Sequence, residues 1–300
     1  MKKFKAFGFC LLFLTTQCLF AQIGNQSRLI AKDATVTRIA SGFKFTEGPA
    51  VDPDGNVFFT DQPNNRIMKW SPGQGVTVYM ENAGRANGLY FDQEGNLLAC
   101  ADEKNGLWKI DKNKNVTVRV TDFQGKKLNG PNDLWVDPRG GIYFTDPFYK
   151  RDYWTRTEKE IVQERVYYLS PDGKTLTIAA DDFVRPNGIV GTADGKILYV
   201  ADIGGRKTYS FRIQPDGTLS ERKLFTEMGS DGMTIDRKGN LYLTGKGITI
   251  FDPSAKQIAH IPVEESWTAN VCFGGRDMKT LFITASKSVY TLKMRVKGVR

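Results

Sequence analysis

The chain has 300 residues, of which 40% are hydrophobic and 12% aromatic, enough to bury a sizeable core in one large β domain or two smaller ones. Its formal charge is +9, and discounting residues 1–21 with their three lysines lowers this to +6. The basic residues are scattered apart from a terminal LKMRVKGVR, with no stripe interleaved with aromatics, so a solvated basic surface is expected and nucleic-acid binding is not.

Residues 1–21 read as a secretory signal peptide: three lysines, an apolar run from Ala6 to Leu14, and Ala21 before Gln22. The run is too short for a membrane span. Export to the periplasm or the medium is expected. A lipid anchor at Cys18 is the minority alternative, because Gln17 is not the small residue such a site prefers. Residues 22–300 are expected to form a single domain. Cys10 and Cys18 belong to the leader. Cys100 and Cys272 lie in apolar strand-like runs and are expected as buried thiols, although an exported protein is permitted a disulfide.

Beyond the leader the chain repeats. EGPAVDPDGNVFFTD, NGLYFDQEGNLLACAD, NDLWVDPRGGIYFTD, NGIVGTADGKILYVAD, DGMTIDRKGNLYLTG and NVCFGGRDMKTLFITA begin at residues 47, 87, 132, 187, 231 and 270. Each has a polar residue, an apolar strand, a turn and a second strand. Asp52, Asp92, Asp137 and Asp236 stand five positions after the start, and Gly55, Gly95, Gly140, Gly195 and Gly239 stand eight after it. Spacings of 40, 45, 55, 44 and 39 residues without helical patterning predict an all-β, six-bladed β-propeller with four-stranded blades. Only thirty residues follow Asn270, enough for three strands, so residues 34–40 are expected to supply the fourth and close the ring. Residues 149–165, YKRDYWTRTEKEIVQER, account for the longest spacing and are expected as a surface loop, a short helix or a lid.

The first strand of a propeller blade lines the central channel. The repeat therefore brings Glu47, Asn87, Asn132, Asn187, Asp231 and Asn270 to one height around the axis. All six carry side-chain oxygens. Two carboxylates drawn together out of water repel, so either one protonates or a cation joins them. An oxygen-only set suits a hard divalent ion, calcium first, with magnesium, manganese or zinc behind it. The competing reading is that Asn and Asp merely form turns before strands, although Glu47 is a poor turn former. Asp61, Asp102, Asp146 and Asp202, which end the second strands, are expected to bond backbone N–H groups of the next turn.

Other chemistries fail on residue count. One histidine, His260, and no G-x-S-x-G elbow leave no Ser-His-Asp triad, and a zinc centre of several His or Cys ligands has too few of them. Arg85 and Arg185, each two residues before a ring asparagine, either orient an anionic or hydroxylated substrate or pair with surface acids.

EGPAVDPDGN, GPNDLWVDPRGGIYFTDP, RPNGI and SDGM resemble the gluconolactonase and regucalcin (senescence marker protein) family, and ANGLYFDQEGNLLAC and NVCFGGRDMKTLFITAS resemble its bacterial gluconolactonases. The likeness spans residues 35–295. It implies a calcium-type metal on Glu47, Asn187 and Asp231, with Asn132 beside it as a ligand or substrate contact and Asn87 among the substrate contacts. It also implies hydrolysis of a sugar lactone with Asp231 as general base, or as nucleophile in related phosphotriesterases. Gly130 stands where the regucalcin branch has arginine, so that branch's sugar contacts do not carry over. VFFTD, IYFTD and LYVAD also resemble strands of non-catalytic YWTD receptor propellers, which need no acid and amide ring.

Overall fold

A computed structural model describes residues 28–299. The leader, with Cys10, Cys18 and its cleavage site, lies outside the described residues. No helix of the described residues is long and apolar enough to cross a membrane.

Six antiparallel four-stranded sheets form the blades of a β-propeller. The innermost strands are Thr46–Val51, Ala86–Phe91, Leu134–Val136, Pro186–Gly191, Met233–Ile235 and Thr268–Gly274, each an edge of its sheet. The last blade takes its fourth strand from the N-terminal side. Thr37–Ser41 pairs with Ser288–Lys293, setting Thr37 opposite Thr291 and Arg38 opposite Tyr290. The closing strand thus runs one residue past the expected 34–40, and it covers an edge that would otherwise stay open.

The repeated Asp and Gly make one recurring turn. Asp52, Asp92, Asp137 and Asp236 accept from the backbone N–H four residues on, at 2.8, 2.8, 3.0 and 3.0 Å. Gly55, Gly95, Gly140, Gly195 and Gly239 take φ between +67° and +92°, which L side chains seldom adopt.

Packing is between blades. Trp135 and Tyr143 of the third blade share a core with Ile189, Leu198, Val200 and Phe211 of the fourth. Cys100 is buried, Cys272 half-buried, and both are free thiols. His260 sits on an outer strand, Gln257–Ile261, with Nδ1 3.2 Å from Thr249 Oγ1.

Residues 149–165 contain no helix before the strand that starts at Glu164, and run as irregular chain with bends. Their arrangement is set by side-chain contacts to the channel mouth.

Candidate functional site at the channel mouth

Small residues let the inner strands crowd the axis. A Cβ on Gly48 would lie 2.0 Å from Asn87 O, on Gly88 2.6 Å from Asn132 O, on Gly188 2.9 Å from Asp231 O, and on Gly232 2.0 Å from Asn270 Cγ. In four repeats, then, the residue after the ring position lies against the ring position of the next blade. Gly88 N–H also donates to Asn132 O at 2.7 Å, a direct bond between blades. Register shifts fall at the ring position in four blades, between Glu47 and Ala50, Ala86 and Leu89, Pro186 and Ile189, and Thr268 and Asn270. A bulge re-aims a side chain out of the regular ladder.

All six expected ring residues are at this mouth, and they differ in what they do there. Glu47 is buried, with Oε2 accepting from Gly48 N–H at 2.9 Å. Asp231 is held on both oxygens: Asn187 Nδ2 donates to Oδ1 at 2.8 Å and Trp267 Nε1 to Oδ2 at 2.6 Å. Asn187 Nδ2 also donates to Tyr149 Oη at 2.9 Å. The amide nitrogen of Asn187 is thereby committed, leaving Oδ1 as its remaining ligand atom. Asn87 and Asn132 are buried, and their amides make no hydrogen bond among the described residues. Asn270 has a supporting role: its Oδ1 accepts from Val271 N–H at 2.8 Å and its Nδ2 donates to Asp133 Oδ2 at 3.3 Å and toward Glu47.

The electrostatics follow from burial. Glu47 is pushed well above the usual carboxylate range, first by burial, then by the charges of Asp231 and Asp133, with Gly48 N–H and Asn270 opposing. Burial raises Asp231 to about 6, against the pull of Trp267, Asn187 and Arg151. Asp133 rises to about 7 for the same first reason. Below the ring the channel offers these acids little relief: a cavity of about 180 Å³ lined by Leu89, Trp135, Ile189, Met233 and Phe273 reaches Val299. The Val299 N–H donates to Ile235 O at 3.2 Å, setting the C-terminal segment across the far end.

Crowded carboxylates with raised proton affinity beside amide oxygens fit a hard cation, which would satisfy the repulsion that protons otherwise relieve. Among the described residues no three His, Cys, Asp or Glu side chains gather as a ligating group, so a cation here would have to draw on amides as well as on Glu47 and Asp231.

Three contributors escaped the sequence reading. Trp267 lies in a loop before the last ring position, outside the repeat register. Asp133 occupies a place that is glycine in four repeats, and that break in the column was a usable signal. Tyr149 belongs to the insertion, whose place in the chain was legible but not its bond to Asn187.

The second-strand aspartates divide. Asp61, Asp146 and Asp202 accept backbone N–H groups, mostly of the loop entering their own blade: Lys44 at 2.9 Å, Asn129 and Gly130 at 2.9 and 2.7 Å, and Val184 and Arg185 at 2.9 and 2.8 Å. Asp202 also takes a backbone N–H of the following turn, Gly205 at 2.9 Å, and Asp61 takes a side-chain amide of its own, Asn64 Nδ2 at 2.6 Å. Asp102 departs from the expectation. Its Oδ2 takes Arg151 Nε at 2.7 Å, Gln62 Nε2 at 3.0 Å and the Tyr153 hydroxyl, while its carbonyl takes Trp154 Nε1 at 3.2 Å. The insertion supplies the donors that backbone supplies elsewhere. Gly130 makes room for it, since a Cβ there would lie 2.9 Å from Trp154. Arg85 is engaged away from the ring, with Glu103 at 3.4 Å, Pro63 O and the Tyr153 ring at 4.6 Å. Arg185 lies 5.1 Å from the Tyr149 ring centroid.

A gluconolactonase of Zymomonas mobilis is 30% identical over 290 residues, covering 87% of this chain and 81% of its own. A solved gluconolactonase from Xanthomonas campestris superposes with a TM-score of 0.83 at 28% identity, covering 90% of this chain and 92% of its own. A calcium-binding regucalcin from Agrobacterium tumefaciens, at 19% identity and TM-score 0.73 over 87% of this chain and 95% of its own, shares the fold. Residues 45–287 match the model of the SMP-30/Gluconolactonase/LRE-like region, and the chain belongs to that family.

Proposed function

We propose that this protein hydrolyses a sugar lactone at the channel mouth, with a divalent cation, calcium first, held by Glu47, Asn187 and Asp231 and with Asn132 at its side. The likeness to gluconolactonases supports lactone hydrolysis, and the paired grip of Asn187 and Trp267 on Asp231 is the observation that carries the mechanism. When bound, the cation supplies Lewis acidity at the lactone carbonyl and charge for the oxyanion. Without a cation, burial raises Asp231 to about 6, and a bound cation would lower it, so at neutral pH the carboxylate is ionised and placed to take a proton from an attacking water, a contribution of roughly 10²–10⁴-fold. Asn187 and Trp267 fix the direction of that carboxylate. Asn87 and Asn132, whose amides are uncommitted, bond the sugar hydroxyls or the ring oxygen. Tyr149, bonded to Asn187 and flanked by Arg151 and Arg185, borders the same site.

Export belongs to the same proposal, since residues 1–21 have the order of a signal peptide. The N-terminal sequence of the protein recovered from the periplasm or medium tests it. The catalytic reading is tested with a panel of sugar lactones at fixed pH, with and without chelator, on the native protein and on Asp231→Ala. Chelation and the substitution should each remove hydrolysis. If rates survive both, the mechanism is wrong.

A further inference from the structure

Among the described residues Arg85, Arg151 and Arg185 lie over the tyrosine rings beside the mouth, and they differ in how far their charge is met. Arg151 is spent on Asp102, with Nε 2.7 Å from Oδ2, and Arg85 on Glu103 and Pro63 O. Arg185 has only Glu164, at 3.8 Å, and Glu164 already holds Lys159 on its other oxygen. Among the described residues the Arg185 guanidinium makes no hydrogen bond, and its side chain is 44% exposed.

The base of this side chain is nevertheless fixed. Asp202 accepts from the N–H groups of Val184 and Arg185 at 2.9 and 2.8 Å, Pro186 follows, and Gly204 packs so closely that a Cβ there would come within 2.9 Å of Arg185 Cβ. Its head lies over Tyr149, whose hydroxyl meets Asn187 and, through that amide, Asp231. A planar five-donor fork on a fixed stem, seated on Tyr149 beside the ring and lacking a full counter-charge, suits a carboxylate or phosphate far better than a neutral hydroxyl.

We infer that the preferred lactones carry an anionic group remote from the reacting carbonyl, and that Arg185 recognises it from its seat on Tyr149. The inference rests on the lactonase reading and narrows its substrate class.

Initial rates decide it, measured with calcium on δ-gluconolactone, D-glucaro-1,4-lactone and 6-phosphogluconolactone, which are neutral, carboxylate-bearing and phosphate-bearing. The native protein should favour at least one charged lactone by about tenfold or more in kcat/KM, with the advantage shrinking as salt rises. In Arg185→Met the ratio of charged to neutral kcat/KM should fall toward one, chiefly through KM, and Arg185→Lys should restore part of it. The charged lactone that shows the advantage identifies carboxylate or phosphate. A native preference for the neutral lactone, or an Arg185→Met that slows all three equally, overturns the anion inference while leaving the lactonase reading intact. If none of the three is turned over, both fall. The native ratio alone still decides should Arg185→Met fail to fold.

Discussion

Asp133 and Asn270 come from the third and sixth blades, on opposite sides of the axis, yet Asn270 Nδ2 donates to Asp133 Oδ2 at 3.3 Å. The channel is bridged just below the ring, and the charge of Asp133 is felt at Glu47. Asp133 therefore acts on Glu47 from beneath, as a support. Removing an outer partner of a metal ligand costs roughly 10–100-fold in metal affinity. Asp133→Asn should weaken calcium binding by about tenfold, near the bottom of that range, and Glu47→Gln by more than about 100-fold, beyond its top. Isothermal titration of the chelated protein measures both. Equal losses would make Asp133 a ligand and not a support.

Trp267 donates to one oxygen of Asp231 and favours its charged form. In Trp267→Phe that donor is lost, the carboxyl holds its proton more tightly, and a bond to a charged group worth about 1.5–3 kcal/mol disappears. The acid limb of the kcat/KM profile should move up by about one pH unit or more, with the basic side little changed. A uniform loss at every pH would assign Trp267 to packing alone.

The raised carboxyl groups also govern stability. Asp231 at about 6, Asp133 at about 7 and Asp146 at about 7 all lie above their ordinary value, each chiefly through burial. The folded state therefore binds more protons than the unfolded state across this window. Stability from these groups is full below about pH 4 and is lost as pH rises through 6 and 7. With chelator present, their contribution lowers the melting temperature from pH 5 to pH 8. Calcium, which replaces the protons at Glu47 and Asp231, should raise it more at pH 8 than at pH 5. Scanning calorimetry at both pH values checks this, and a calcium increment that is larger at pH 5 would contradict it.

The propeller was legible because one Asp-x-x-Gly turn and one polar residue recur in register, and a ring converts sequence period into spatial coincidence. The ring positions were legible for the same reason. Trp267 and the bond between Tyr149 and Asn187 were not, since each belongs to an element found once in the chain and periodicity says nothing about such elements. Asp102 shows the converse error. Its place in the repeat pointed to backbone bonds, but a neighbouring blade's insertion brought Arg151, Tyr153 and Trp154 to it instead.

That insertion yields the last prediction. Asp102 is buried, and burial raises it, while Arg151 is the largest influence keeping it charged. Asp102→Asn removes the counter-charge and leaves a guanidinium only 23% exposed without its partner. Breaking a buried pair by removing one member costs about 3–5 kcal/mol, and partial solvent access to Arg151 brings the expected loss to about 2 kcal/mol. The cost falls locally, on residues 149–165, whose amide exchange should accelerate. Tyr149 then loses its hold on Asn187, so KM should rise more than kcat falls, because the pocket loses a wall before Asp231 loses Trp267. Exchange in the insertion that matches the native protein, together with a raised KM, would show that Asp102 acts on the substrate directly and does not anchor the segment over the mouth.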